Sequence, residues 1–336
     1  MKHLLYIGNK LSGHGVTPTT IETLGPLLER EGYIVFYTSS QKNKLLRLMA
    51  MLYSVFRYCK AIDYVLIDTY STINFWYALA TSQLCRLLRL KYIPILHGGN
   101  LPDRLKKNPI VSRMIFDHSY CNVSPSLYLM EQFREHGFFN LEYIPNSIET
   151  ENYPFQVREK AAPNLLWVRS FATIYNPIMA LEVFYKLKQI YPNATLCMVG
   201  PEKDGSLAKA QQKATALNLD VHFTGKLSKS DWISLSSNYS IFINTTHFDN
   251  MPISILEVMS LGLAVVSTAV GGIPFLLEHK KEALLIPDND VDKMVEGIIE
   301  LIENPVFFVE ITSKARTKAA QFEWQSVKPK WITILK

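Results

Sequence analysis

Apolar residues in this chain come in short continuous blocks, and the stretches between them carry helical spacing. Blocks at 4–7, 33–38, 63–68 and 92–96 read as strands, because a strand covered on both faces loses its polar alternation. Between them, Ile21, Leu24 and Leu28 share one face of a helix opened by Thr17-Pro18 and stopped by Gly32. The segment 42–60 places Leu45, Leu48, Met49, Leu52, Val55 and Phe56 three and four apart. Leu46, Met51 and Tyr53 widen that arc, and Lys42, Lys44, Arg47, Arg57 and Lys60 fringe it. A helix over 71–90, a strand over 119–123, a helix from Ser124-Pro125 to 136 and a strand over 141–144 follow. After a stretch of mixed charge at 150–163, bearing Pro154 and Pro163, the alternation restarts. Strands are expected at 165–168, 194–199, 221–223, 240–243, 263–266 and 283–286. Helices are expected at 177–191 and 206–217, up to 303, and over 305–336. Alternating strands and helices with short loops predict parallel sheets covered on both faces.

At 336 residues the chain suits two domains, and 48% hydrophobic with 19% charged residues describes a folded protein with a sizeable core. Cys59, Cys85, Cys121 and Cys197 lie far apart without CxxC spacing, which reads as buried thiols in a reducing, cytoplasmic setting. The opening Met1-Lys2-His3-Leu4-Leu5-Tyr6-Ile7-Gly8 reads as a first buried strand rather than a leader. No apolar run approaches the ~18–20 residues of a membrane span.

Charge divides the chain unevenly. Residues 1–150 hold 16 Lys and Arg against 11 Asp and Glu, whereas 151–336 hold 19 of each. Between 41 and 113 there are 12 basic and 3 acidic side chains. The first half is therefore expected to meet something anionic: a membrane surface, an acidic lipid-linked acceptor or nucleic acid. The helix over 42–60 either packs wholly in the core with a solvated basic edge, or lies on anionic lipid.

The densest candidate chemistry is Phe248-Asp249-Asn250-Met251-Pro252-Ile253-Ser254-Ile255-Leu256-Glu257. It reads as a loop leading into a helix, with Pro252 in the first turn and Asp249 or Asn250 available as a cap. A helix N-terminus attracts phosphate through its amides and dipole. Carboxylates at the loop and within the helix could grip hydroxyls on either side of that phosphate. A sugar nucleotide has this order of groups. The plain alternative is an amphipathic helix with Glu257 solvated. Two more residues stand at strand ends, where open α/β sheets bind ligands. They are His97, before Gly98-Gly99, and Arg169, whose planar fork suits phosphate. A strand-end ion pair is the plain reading of Arg169. The loop Gly8 to Gly15 follows the first strand but is not GxGxxG, so a tight turn and a ligand contact both stand for it.

The stretch resembles the donor-site signature of glycosyltransferase family 4. Asp249, seven residues, Glu257, then Leu261-Gly262-Leu263-Ala264-Val265-Val266-Ser267-Thr268 and Gly271-Gly272-Ile273-Pro274 follow the family pattern, with Asp249 in place of the first Glu. His97-Gly98, Val123-Ser124-Pro125-Ser126, Ile144-Pro145-Asn146-Ser147 and Phe322-Glu323-Trp324 are similar too. The resemblance implies the GT-B fold: two doubly wound, Rossmann-like α/β domains facing a central cleft. Residues 1–149 would form the acceptor-side domain, 150–163 the linker, 164–320 the donor-nucleotide domain, and 321–336 a terminal helix crossing back to the first domain.

The activity implied is transfer of a sugar from a nucleotide-diphosphate sugar, UDP- or GDP-linked, with retained configuration. The acceptor would be a hydroxyl of a glycan or lipid-linked molecule, as in bacterial surface polysaccharide assembly. Asp249 would hold the sugar with His97 beside it, Arg169 the diphosphate and Glu257 the ribose. Asn250, Met251, Pro252 and Ile253 would form the phosphate-binding turn, and Gly13 and Gly15 would face the donor phosphates and the acceptor. The family's Lys about five residues after Arg169 is absent; either Lys226 or a basic side chain of the first domain replaces it, or charge neutralisation is weaker. No cofactor and no metal are expected, since no DxD motif appears. Two rivals remain. A sugar-nucleotide epimerase of the same fold would turn over donor alone. A basic nucleic-acid-binding module would bind with steep salt dependence, and no aromatic-interleaved basic motif supports it. The expected place is the cytoplasm, with peripheral attachment to the inner face of the membrane as a further option.

Overall fold

The structure, a computed structural model, describes residues 1–11, 13 and 19–336. The chain divides into two compact units, Met1–Ser147 with Val327–Lys336, and Ile148–Ser326.

In the first unit β1 (His3–Ile7) leads to α1 (Thr20–Arg30) and β2 (Ile34–Thr38). Then come α2 (Lys44–Tyr58), β3 (Tyr64–Tyr70), α3 (Ile73–Leu87) and β4 (Lys91–His97). Two short helices, α4 (Leu101–Lys107) and α5 (Pro109–Phe116), precede β5 (Asn122–Ser124), α6 (Leu127–Glu135) and β6 (Leu141–Tyr143). The six strands pair in the order β2-β1-β3-β4-β5-β6, each pair parallel. Leu4, Leu5, Tyr6 and Ile7 are all buried, as a central strand covered on both faces requires. Met51 and Val55 of α2 share a core with Leu5, Val65, Ile67 and Tyr77.

The second unit runs β7 (Asn164–Val168), α7 (Pro177–Ile190), β8 (Thr195–Val199), α8 (Ser206–Ala216), β9 (His222–Gly225) and α9 (Lys229–Ser236). It continues with β10 (Ile241–Asn244), α10 (Ile253–Ser260), β11 (Ala264–Thr268), α11 (Ile273–Leu276), β12 (Leu284–Ile286), α12 (Val291–Glu303) and α13 (Pro305–Ala320). The order is β12-β11-β10-β7-β8-β9, again all parallel. The last helix, α14 (Trp324–Ile334), enters the first unit at Val327, where Lys328 pairs with Glu31 at 3.3 Å.

Both sheets are doubly wound. The chain leaves β1 toward β2 on one side and reaches β3 on the other; it leaves β7 toward β8 and returns as β10 on the opposite side. The gaps at the carboxyl ends of β1/β3 and β7/β10 are the switch points where such sheets place ligands.

Several elements differ from the expected ones. The strand expected over 119–123 is Asn122–Ser124, because Ser119 turns back to donate to the Phe116 carbonyl. The terminal segment breaks into α13 and α14 at Gln321. Helices α4, α5 and α9 are not visible in the periodicity; each is only seven or eight residues long, too short to display it. Thr17, Pro18 and Gly15 lie outside the described residues; helix α1 has Thr19 at its N-cap. Cys85, Cys121 and Cys197 are buried free thiols, whereas Cys59 is only half-buried.

Candidate functional site

At the switch point of the second sheet, Arg169 follows β7 and Asp249 follows β10, two strands that pair directly. The Arg169 guanidinium donates from Nη2 to Asp249 Oδ2 at 2.6 Å and from Nε to Asn244 Oδ1 at 3.1 Å. It also lies 4.9 Å above the Tyr175 ring. Backbone fixes its root: Arg169 N–H donates to the Val199 carbonyl at 3.0 Å. Gly200 makes that approach possible, since a Cβ there would lie 1.7 Å from the Arg169 carbonyl oxygen. Both charged side chains keep some solvent contact, 11% for Arg169 and 15% for Asp249.

The loop carrying Asp249 is laced to its surroundings. Thr245 Oγ1 accepts from Trp167 Nε1 at 3.1 Å, and Thr246 Oγ1 donates to the Ile174 carbonyl at 3.0 Å. The Gly271-Gly272 turn packs on the loop's backbone. Gly272 N–H donates to the Asp249 carbonyl at 2.8 Å, and a Cβ on Gly272 would lie 1.8 Å from the Asn250 carbonyl oxygen. Only glycine permits that approach.

Helix α10 begins at Ile253 with Pro252, which has no side-chain acceptor to offer, at the N-cap. Of the two expected caps, the Asp249 carboxylate is turned to Arg169 instead. Met251 and Pro252 are buried behind the turn. The first-turn amides keep their affinity for an anion. Ser254 Oγ, in that turn, is buried without a hydrogen-bond partner among the described residues. A buried hydroxyl in that condition is costly until something accepts from it or donates to it.

One helical turn on, Glu257 is buried and its Oε1 accepts from Tyr153 Oη at 2.7 Å and from Lys229 Nζ. Burial, and then the adjacent Glu257 carboxylate, push the Tyr153 hydroxyl well above its ordinary range, so it remains a donor. Lys226 is exposed at the start of the loop after β9. Lys229, three residues on, carries no signal in the sequence, and neither does Tyr153, which reaches Glu257 across 104 residues of chain.

The first sheet's switch point holds different groups. His97 ends β4, and its Nε2–H donates to Asp68 Oδ1 at 2.9 Å; Tyr6 Oη donates to the same oxygen at 3.1 Å. Tyr70 stacks on the imidazole at 4.8 Å. Burial, then Asp68, push both Tyr6 and Tyr70 hydroxyls upward. Asp68 Oδ2 is buried without a partner among the described residues and faces Gly8, where a Cβ would lie 2.5 Å away. Sequence reasoning missed Asp68 although it interrupts an apolar strand, which was the available signal. Gly13 is exposed, with no heavy atom of the described residues within 4 Å of a Cβ position, and Gly15 lies outside the described residues. Among the described residues no group of three His, Cys, Asp or Glu side chains is arranged to hold a metal ion.

Fold and site together define a two-domain, doubly wound α/β protein whose second domain offers a seat for an anion. The chain belongs to the glycosyl transferases group 1 family, whose model matches residues 149–322, just over half its length. It is 27% identical over 156 residues to an uncharacterized glycosyltransferase of Haemophilus influenzae, covering 46% of this chain and 44% of that protein. It is 31% identical over 70 residues to the amylovoran biosynthesis glycosyltransferase AmsK of Erwinia amylovora, covering 21% of this chain and 17% of that protein. The chain thus spans less than half the length of these curated relatives. The crystal structure of Anabaena HepE in complex with UDP-glucose superposes with a TM-score of 0.80 at 15% identity, covering 99% of both chains. The architecture is GT-B, two Rossmann-like domains.

Proposed function

We propose that this protein is a retaining glycosyltransferase of family 4 that moves a sugar from a nucleotide-diphosphate sugar to a hydroxyl of a glycan or lipid-linked acceptor in surface polysaccharide assembly. The observation that carries the reading is the Arg169–Asp249 pair at a switch point, one turn from the N-terminus of α10. The complex of HepE with UDP-glucose supports a uridine diphosphate donor, and the similarity to an amylovoran biosynthesis enzyme supports a polysaccharide product. Arg169, the first-turn amides of α10 and Ser254 Oγ take the diphosphate. Asp249 exchanges Arg169 for a sugar hydroxyl, and Glu257, held by Tyr153 and Lys229, takes the ribose hydroxyls. His97 serves the transferred sugar.

The chemical demand is charge on the departing diphosphate. A fixed guanidinium and oriented amides meet it without reorganising, which is electrostatic preorganisation. The acceptor oxygen bonds to the anomeric carbon on the face that the phosphate oxygen leaves, and the acceptor's proton passes to that oxygen. The products are the glycoside and a nucleoside diphosphate. We place no metal in this step.

The test is turnover of a panel of UDP- and GDP-sugars with EDTA present, with the product anomer read by proton NMR. Retained configuration with an acceptor-dependent release of nucleoside diphosphate is expected. Inversion overturns the retaining assignment, loss of turnover rescued by Mg²⁺ overturns metal independence, and conversion of donor without acceptor identifies an epimerase.

A further inference from the structure

Helix α2 carries more apolar surface than the first unit covers. Its inward side is filled by Met51 and Val55, which are buried. Its outward side presents Leu45, Leu46, Met49, Tyr53 and Phe56, each between 57% and 67% exposed. At 3.6 residues per turn these five fall within about 100° of the helix circumference, opposite Met51 and Val55. A surface helix ordinarily turns polar residues outward, and clustered apolar exposure marks an interaction site. The expectation that the whole apolar arc packs in the core is thereby corrected: α2 has two apolar faces.

The charges around the outer face are of one sign. Residues 41–62 contain five basic and no acidic side chains. Arg47 does not fringe this face, as its spacing suggested. It is buried and donates to the Gln41 and Lys42 carbonyls and to Asn9 Oδ1. Lys42, Lys44, Arg57 and Lys60 are exposed. The neighbouring helices continue the theme, with Trp76 of α3 and Ile110 of α5 at 43% and 76% exposed.

We propose that this face seats the protein on an anionic lipid bilayer. Helix α2 lies in the headgroup plane, its five apolar side chains enter the acyl boundary, and its lysines meet lipid phosphates. Length is consistent with lying rather than spanning. Fifteen residues make about 22 Å, short of the ~30 Å hydrocarbon core. Among the described residues no helix is long and apolar enough to cross a membrane. Charge selects the occupant. A second copy would bring the same basic fringe against itself, which like charges oppose. An apolar groove on another protein would leave four cations without counter-charge. The proposal goes beyond the donor-site reading and uses none of its residues, so each can fail without the other.

Co-flotation of the full chain tests it, with vesicles of phosphatidylcholine alone and of phosphatidylcholine containing phosphatidylglycerol. Binding is expected only with the anionic vesicles, and it weakens at high salt as the surface field is screened. The triple variant Lys42→Glu, Lys44→Glu, Lys60→Glu is expected to lose about tenfold or more in partition. Leu45→Ser with Phe56→Ser is expected to abolish flotation while leaving the thermal midpoint unchanged, since both side chains are exposed. Flotation absent from both vesicle types, or equal in both, overturns the proposal. So does a dimer in sedimentation velocity that the Ser variant dissociates without any vesicle binding.

Discussion

At the first sheet's switch point a carboxylate is sealed beneath a glycine, with its Asp68 side chain fully buried and His97 at 6% exposed. At the second sheet's switch point a carboxylate of the same type, Asp249, stands partly open beside a guanidinium. The two sheets share the doubly wound plan and differ in what fills the same place. A fully buried carboxylate demands local donors, and Tyr6 and His97 supply them. A partly exposed pair can exchange one partner for a ligand, because water softens the cost of the intermediate arrangement. Topology selects the place, and burial selects which groups can fill it. The first point holds a buried ring against a buried carboxylate, and the second leaves its ion pair in contact with solvent.

The largest effect is expected at Arg169. Arg169→Ala is expected to cost ~2.7–4 kcal/mol of transition-state stabilisation, the range for deleting one oriented donor, read as a fall in kcat. Arg169→Lys, which keeps charge but loses the fork, should lower turnover by ~10-fold or more. Turnover within twofold of the parent in both would leave Arg169 a structural ion pair.

Next in size is Glu257→Gln, expected to weaken bare nucleoside diphosphate by ~1.5–3 kcal/mol in calorimetry, the worth of a charge-assisted hydrogen bond. Unchanged affinity removes Glu257 from the ribose. Asp68→Asn tests the other switch point. The amide can no longer act as a pure acceptor for Nε2–H, so the His97 ring should change tautomer in nitrogen NMR. Turnover should fall by about tenfold, ~1.4 kcal/mol, with the donor's KM unchanged. Gly8→Ala pushes on the same carboxylate from above and should cost ~1–3 kcal/mol in thermal unfolding. An unaltered NMR signature in both variants would detach Asp68 from His97.

The smallest effect concerns pH. The Ser206 hydroxyl, and then the Thr173 amide, hold the Asp204 carboxyl down to about 2. A depressed carboxylate contributes stability above its unfolded value and loses it as pH falls through the folded one. The turn after Arg169, pinned through Thr173, should therefore loosen between about pH 4 and 2. Asp204→Asn should flatten that limb in thermal unfolding scans across pH, and a limb identical to the parent's would remove the carboxylate from the account.

Much of the second unit's candidate site was legible in one dimension. Asp249, Pro252 and Glu257 lie within nine residues of one another, so loop and helix spacing alone put them at one helix N-terminus. Arg169 and His97 were visible as polar residues closing apolar strands. The partners that define their state were not. Lys229 looked like any surface lysine, and Tyr153 sat in a stretch without periodicity, yet both hold Glu257. Helix α2 shows the same limit in another form. Its sequence carries apolar residues nearly all round, and periodicity cannot say which of two apolar faces a sheet will cover.

Local pattern alone carries the alternation of strands and helices, the division of charge between the halves and the helix start within 249–257. These rest on local spacing and composition, which any stretch of chain carries with it. Long-range packing sets that Arg169 holds Asp249, that Asp68 lies under Gly8 against His97, and that Leu45 and Phe56 face outward while Met51 and Val55 face in. Each of those is a contact or an exposure set by which strands pair and which helix face the sheet covers. Strand order is a long-range choice that no local pattern encodes.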